Sequence, residues 1–401
     1  MPLRKKLLLL GGSAQQIVAI DTAKHLGYET ILCDYLPDNP GQFHADKFYQ
    51  TSTTDKTAIL GIAQKEKIDG IVAYASDPAA PTAAFVAEQM GLAGNPLKSV
   101  ETLCNKDQFR IFLEENGFNA PRAGSYVTRE QGLNARNYFN LPVIVKPVDS
   151  SGSKGATIVR DWADLEEAIV FAFSFSRSSR IIVEEYIEKK HPYLIGGDIF
   201  IVNGKVELWG LLNCHRDNQV NHLVPVGKSY PLVLNEEDEA ALHKTLQRMV
   251  DKLRIRNGAM NVELIIDRNG LVWPIDVGPR NGGNMIPELL GYIWGIDIVE
   301  LTVRAAMGEH VQLCATNGIP YYATHNLHSS RSGKFINIGF SEKLEQYIVR
   351  KSIYKKAGDQ VEYFDNAAKA LGIIFLRFPN RETMMQMLED INSHVFIRLE
   401  E

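Results

Sequence analysis

The apolar positions of this chain come first in short unbroken runs separated by stretches of helical period. Residues 7–10 are four leucines, closed by Gly11, Gly12 and Ser13. Residues 14–26 then carry apolar side chains at helical spacing and stop at Gly27. A second run, 30–33, closes at Asp34. A third, 68–74, closes at Ser76-Asp77-Pro78, and a helix over 81–91 follows. This alternation predicts a parallel sheet covered on both faces. Beyond it the pattern predicts a helix over 99–116, a strand over 141–146 closed by Pro147 and a strand over 180–187. A hairpin is expected about Asn203-Gly204, a long amphipathic helix over 235–253 begun by Asn235, and two helical pieces over 287–308. Residues 213–230 read as a polar loop, and 365–391 as turn, strand and helix. The fold class is α/β and α+β in three parts: an N-terminal α/β domain over 1–95, a middle domain over 96–310, and a smaller C-terminal α/β subdomain over 311–401.

The most informative stretch is 262–287. Residues 262–266 and 271–277 are rich in β-branched and aromatic residues, and Asp267-Arg268-Asn269-Gly270 supplies the turn between them. Strand alternation puts Glu263 on the face opposite Val262 and Leu264, and antiparallel pairing brings it near Asp276. Two carboxylates on a rigid hairpin suit a hard cation such as Mg²⁺ held against phosphates. Arg280 follows on a Pro-Arg-Asn-Gly-Gly turn, where its fork can reach a phosphoryl oxygen. An ordinary surface hairpin with solvated acids would show the same pattern, so the weight falls on the rest of the chain.

A second candidate site begins with the strand that delivers Lys146 to Pro147. The loop after it holds Ser151, Gly152, Ser153 and Gly155. Small residues let a loop fold its backbone N–H groups over anionic oxygens, and Lys146 adds fixed charge. The Walker A spacing is absent. So is a full dinucleotide fingerprint: Gly11-Gly12 after a strand with Asp34 further on mimics one, but Ala14 and Gln16 stand where spacing glycines are needed. His215 and His222 find no third metal ligand at useful spacing.

Composition narrows the class. The chain has 401 residues and a net charge of −5 without a basic block, so nucleic acid is not an expected partner. No run approaches membrane-spanning length, and the four leucines after the basic start are too few for a signal peptide. Four scattered cysteines, Cys33, Cys104, Cys214 and Cys314, form no Cys-x-x-Cys pair and point to a reducing cytoplasm.

The hairpin resembles the metal-binding signature of the ATP-grasp superfamily, a strand Glu and then Glu-x-Asn-Pro-Arg. Here the residues are Glu263, then Asp276-Val277-Gly278-Pro279-Arg280, with Asp for the usual Glu and Gly278 for the usual metal-contacting Asn. Lys146 with its loop is similar to the superfamily's lysine strand and phosphate loop, and Lys106 with Arg110 fits its helix pattern. The ordered set resembles the carbamoyl-phosphate-synthetase-like and L-amino-acid-ligase-like branch. The resemblance implies an ATP-grasp fold with an N-terminal Rossmann-like domain, a lid over about 121–188, and homodimers among its members. It implies ATP and Mg²⁺ (or Mn²⁺) as cofactors, with Glu263 and Asp276 as metal ligands and Arg280 and Lys146 as catalytic residues. Lys106, Lys146, Ser151, Gly152, Ser153 and Gly155 would bind phosphates. Glu184, Glu185 and Ile187 would cradle adenine, and Asp198, with His191 second, would meet the ribose. Asn281 or Asn284 would compensate for Gly278, and Arg216, Lys228 or Arg331 would face substrate. The implied activity joins a small-molecule carboxylate to an amine through an acyl phosphate, releasing ADP and phosphate. An ATP-dependent carboxylase using bicarbonate and a non-catalytic ATP-binding protein are the alternatives.

Overall fold

The computed structural model describes residues 4–150, 152–217 and 221–400, with backbone alone at 221 and 222. The apolar runs of the first part become β1 (Lys6–Leu10), β2 (Glu29–Asp34), β3 (Lys47–Gln50) and β4 (Gly70–Val72). They form a wholly parallel sheet in the order β3-β2-β1-β4. Leu7 to Leu10 are buried on both faces, which is why they read as a continuous run rather than an alternating one. Gly11 is left-handed at φ +106, and the Gln16 amide packs against it while donating to the Tyr74 carbonyl at 2.8 Å. The glycine turn is thus filled by the protein's own side chain.

The expected helix over 99–116 is two helices, Leu97–Cys104 and Lys106–Glu115. Asn105 between them is extended, with φ −122 and ψ 111, and the Lys106 N–H donates to the Val148 carbonyl at 2.9 Å. That long-range bond replaces a helical one, so the break ties Lys106 to the strand that carries Lys146.

A second, antiparallel sheet follows, built from β5 (Ala123–Tyr126), β6 (Val143–Pro147), β7 (Thr157–Val159) and β8 (Ile181–Glu185) in the order β5-β8-β6-β7. The helix Leu165–Phe175 packs on it through Leu165, Ala168, Ile169 and Ala172.

The third sheet is the body of the molecule. It holds β9 (Leu194–Val202), β10 (Lys205–Asp217), β11 (Asn221–Tyr230), β12 (Gly258–Ile266) and β13 (Val272–Gly278). The C-terminal segment adds β14 (Tyr322–Leu327), β15 (Gly333–Phe340), β16 (Ile348–Ile353), β17 (Gln360–Val361), β18 (Gly372–Arg377) and β19 (Val395–Glu400). The large sheet runs β13-β12-β9-β10-β11-β14-β18-β16. Three C-terminal strands therefore extend the sheet that carries the acidic hairpin. Only β17-β15-β19 form a separate sheet among the described residues. The expected polar loop over 213–230 falls instead on the antiparallel strands β10 and β11, whose polar residues face a cleft at His215, Arg216 and Lys228 while Val224 packs with Phe364. The helix Glu236–Leu253, capped by the Asn235 side chain on the Asp238 N–H at 2.8 Å, covers the opposite face with Leu242, Leu246, Met249 and Val250. No helix among the described residues is long and apolar enough to cross a membrane.

Candidate functional site

A cleft of about 1370 Å³ opens between the four-stranded antiparallel sheet, the hairpin edge of the large sheet and the N-terminal unit. The hairpin positions its acids as the sequence pattern requires. Glu263 on β12 is the register partner of Asp276 on β13, with a bulge immediately after Glu263. Both line the cleft, while Val262, Leu264 and Ile266 are fully buried beneath them.

Each hairpin acid has a cation at hand. Lys106 Nζ lies 3.1 Å from Asp276 Oδ2 and donates to the Ser150 carbonyl at 3.0 Å. Arg216 Nη2 stands 3.6 Å from Glu263 Oε1. Burial alone would push the Asp276 carboxyl up, but Lys106 and Lys146 outweigh it and hold it below the usual carboxylate range. Burial would likewise lower Lys106, and Asp276 outweighs that and raises it. Both groups stay charged.

Lys146 sits deeper. Its Nζ is 2.6 Å from Glu184 Oε2, and Arg110 Nε is 2.8 Å from Glu184 Oε1. Arg110 also donates to the Ile275 carbonyl at 2.7 Å, which links the network to β13. Burial dominates at Lys146 and lowers its affinity for a proton despite Glu184. At Glu184 burial acts upward, and Arg110 and Lys146 overcome it. Glu184 is thus buried under Lys146 and outside the cleft lining. Glu185 is also outside it: its carboxylate accepts from the Arg122 N–H at 2.8 Å, and its own N–H donates to the Arg122 carbonyl at 3.0 Å. Of the three expected adenine contacts, Ile187 lines the cleft, beside Tyr186.

The small-residue loop lies over the same cleft. Gly152 and Ser153 are left-handed at φ 66 and 62, both line the cleft, and Ser153 Oγ donates to the Leu223 carbonyl at 2.9 Å. Gly155 lies below the loop, where a Cβ would meet Pro147 Cγ at 2.9 Å and Phe175 Cβ at 3.0 Å. Ser151 lies outside the described residues, as do the side chain of His222 and residues 218–220.

Asp198 lies beneath the arginine turn instead of in the cleft. Its carboxylate accepts from the Gly282 N–H at 2.8 and 2.9 Å and from Asn261 Nδ2 at 2.8 Å. Burial raises its carboxyl in spite of these donors. His191, the second ribose candidate, accepts from the Ile266 N–H through Nε2 at 3.1 Å and braces the hairpin. Asn281 is buried at 1% exposure, whereas Asn284 lines the cleft. Arg280 lines it too, held by Asp77 from the N-terminal unit. Arg331 is exposed and outside the lining.

Lys228, expected to face substrate, lines the cleft, whereas its pairing with Cys214, the hydrogen-bonded imidazole of His215 and the end wall of the cleft were not among the sequence-read features. Lys228 and Cys214 project together onto the cleft face, 2.7 Å apart, into a notch left by Gly196, where a Cβ would stand 2.8 Å from Cys214 Sγ and 3.2 Å from Lys228 Nζ. His215 beside them bonds Ser229 Oγ at 2.8 Å, and burial, reinforced by Lys228 and Arg216, depresses it to about 4, so it is neutral near pH 7. Met385, Leu388 and Ile391, after the last strand of the large sheet, form an end wall together with Glu389, Asp390, Asn392 and Ser393. Lys228 gave a readable signal as a cation within a polar segment. The end wall carried none, because an amphipathic helix looks alike whether it packs on a core or on a cleft.

The donor set fits a magnesium ion. Among the described residues no group of three His, Cys, Asp or Glu side chains could hold a metal unaided. Two carboxylates on one edge match the preference of Mg²⁺ for one or two protein carboxylates completed by water and phosphate oxygens.

Residues 139–288 match the family model of the ATP-grasp domain. Over 300 residues the chain is 24% identical to the arginine-specific carbamoyl phosphate synthase large chain of Bacillus subtilis (strain 168), covering 73% of this chain and 28% of that one. The chain spans between 27% and 55% of the length of the first three curated relatives. The L-amino acid ligase from Bacillus licheniformis superposes with a TM-score of 0.82 at 20% identity, over 100% of both chains. N5-carboxyaminoimidazole ribonucleotide synthetase from Thermotoga maritima gives 0.76 at 17%, over 99% of this chain and 100% of that one. Residues 139–288 are an ATP-grasp domain, and the chain has the ATP-grasp fold.

Proposed function

We propose that the protein is an ATP-dependent carboxylate–amine ligase. The observation that carries this reading is the convergence of Lys106, Lys146, Arg280, Arg216 and Lys228 on one cleft whose rim holds Glu263 and Asp276. These five cations around two partly exposed hairpin acids, in a cleft that Asp77, Asp217, Glu389 and Asp390 also line, suit a polyphosphate, a carboxylate and a metal together. The notch at Gly196 lets Lys228 onto the cleft face. It suits the organic carboxylate, and the loop and Lys146 suit the nucleotide phosphates.

In this reading a carboxylate oxygen attacks the γ-phosphorus of ATP, the bond to the β–γ bridging oxygen breaks, and ADP leaves with an acyl phosphate remaining. A neutral amine then attacks the acyl carbon. The C–O bond breaks, phosphate leaves, the amine gives up a proton and an amide forms. Glu263 and Asp276 would hold Mg²⁺, which when bound neutralises phosphate charge and fixes the orientation of the γ-phosphate. Lys146 and Arg280 neutralise the transferring group, and Arg216 and Lys228 orient the acid. The work is positioning and charge compensation. Bicarbonate could fill the acid's place, but an end wall that mixes Met385, Leu388 and Ile391 with Glu389, Asp390 and Asn392 favours a larger organic substrate with apolar and polar parts. Four unpaired cysteines fit a cytoplasmic protein.

The test is ADP release from Mg-ATP with pooled small acids, each pool with and without pooled amines, followed by mass spectrometry of the products. The reading expects ADP release that needs an acid, and a new amide mass when an amine is present. ATP binding without acid-dependent turnover in any pool would favour a sensor. ADP release driven by bicarbonate alone would favour a carboxylase.

A further inference from the structure

Gly278 stands where the superfamily signature has an asparagine, and a side chain there would have to displace those of Asp77 and Arg280. A Cβ at 278 would lie 2.6 Å from Asp77 Oδ1, 3.0 Å from Arg280 Cζ and 3.1 Å from Arg280 Nε. Asp77 comes from the loop after β4, in the N-terminal sheet, and its carboxylate has entered the space above the glycine. There it accepts from Arg280 Nε at 2.7 Å and from Arg280 Nη2, in a side-on fork. Arg280 Nη1 donates to the Asn281 carbonyl at 2.9 Å. Three of the five guanidinium N–H groups are thereby used in fixing the plane of the group, and two remain for an anion. The clamp is well sheltered, since the Arg280 side chain is 13% exposed and that of Asp77 20%. Both residues line the cleft beside Lys106 and Asp276. Burial on its own would weaken Arg280's hold on its proton, and Asp77 more than restores it.

We propose that Asp77 is the positioning residue for Arg280. It fills from another domain the space vacated by the missing side chain at 278, and it sets the guanidinium's orientation toward the phosphoryl end of the cleft. The inference rests on the ATP reading of that cleft. A plain inter-domain salt bridge would hold the N-terminal unit in place and nothing more. The positioning role differs from it in a way that can be measured. Asp77 and a side chain at 278 compete for one volume, so each should be tolerated only in the absence of the other. The N-terminal unit then acts on the orientation of Arg280 through the Asp77 carboxylate.

The experiment compares wild type, Asp77→Ala, Asp77→Asn, Gly278→Asn and the double variant Asp77→Ala with Gly278→Asn. For each, calorimetry gives the affinities for ADP and for a non-hydrolysable ATP analogue with Mg²⁺. ADP-release assays give kcat and KM separately, and thermal melts report folding. Asp77→Ala should lose about 10- to 100-fold in analogue affinity and in kcat, with ADP affinity unchanged, because only the γ-phosphate meets Arg280. Gly278→Asn should lose at least as much, and adding Asp77→Ala to it should recover a large part of that loss. Asp77→Asn keeps the shape and half the fork, so it should fall between wild type and Asp77→Ala, and it replaces the latter should that variant fail to fold. Wild-type values of kcat and of the analogue-to-ADP ratio in Asp77→Ala or Asp77→Asn would overturn the inference, as would a double variant no better than Gly278→Asn. Failure of wild type to bind either nucleotide would overturn the ATP reading itself.

Discussion

Two clusters of opposite charge meet at this cleft, and they are built differently. At the four-stranded sheet, Glu184 is 2% exposed, Arg110 3% and Lys146 10%. At the hairpin edge, Asp276 is 39% exposed and Glu263 29%, each with a single cation. Burial decides what each cluster can do. Removing one member of a dry network leaves an uncompensated charge and costs about 3–5 kcal/mol. Breaking a pair whose acid is about a third exposed costs less, on the order of 1 kcal/mol. The first cluster therefore fixes where Lys146 stands. The second can surrender its lysine or arginine to an incoming phosphate or carboxylate, freeing its acids for a cation. A permanent framework and an exchangeable rim lie side by side, joined by the bond from Arg110 to the Ile275 carbonyl of the hairpin.

Glu184→Gln should break this contrast most severely. It leaves Lys146 and Arg110 buried with one neutral amide between them, and chemical denaturation should show a loss of about 3–5 kcal/mol. Glu263→Gln should do the reverse. Its unfolding free energy should stay within about 1 kcal/mol of wild type, while metal-dependent ADP release falls on the order of 100-fold, equivalent to about 2.7 kcal/mol. Equal destabilisation by the two variants would erase the distinction. Lys106→Gln should cost about tenfold in turnover, the loss of one charge at a partly solvated phosphate site, with little change in melting temperature.

The smallest effect sharpens the comparison through an acid that has neither arrangement. Glu288 Oε2 has no hydrogen-bond partner among the described residues. Burial raises its carboxyl to about 7, Asp297 and Asp198 add to the rise, and its own backbone N–H and Arg350 oppose it. The folded-state value lies above the unfolded one near 4.5, so its stabilising contribution is complete below about pH 4.5 and is lost as pH rises through about 7. Glu288→Gln should flatten the decline in melting temperature across that window. An unchanged slope would remove Glu288 from the account.

How much of this was legible depended on how local each feature is. The hairpin and its register followed from Glu263, the turn at 267–270 and Asp276, because alternation and turn chemistry act within a few residues. The parallel N-terminal sheet followed from runs such as residues 7–10 for the same reason. Partners chosen across the chain were not legible. Nothing near Glu184 announces that Lys146 and Arg110 enclose it. Nothing near Asp198 says that its oxygens brace the Gly282 N–H, or near Asp77 that it grips an arginine 203 positions away. Strands 322–327 and 372–377 have the same pattern whether they form their own sheet or extend one already present, so their union with β11 had no local signature.

The central claim is that this cleft transfers a phosphoryl group from ATP to a carboxylate oxygen. The most direct measurement gives the wild-type protein Mg-ATP, pooled amines and a pool of small acids labelled with oxygen-18 in the carboxylate, and weighs the phosphate released. The account predicts one labelled oxygen in each phosphate, because the acyl phosphate carries that oxygen away when the amine displaces it, with Glu263→Gln releasing little of either isotope. Acid-dependent phosphate release with no label transferred would contradict it.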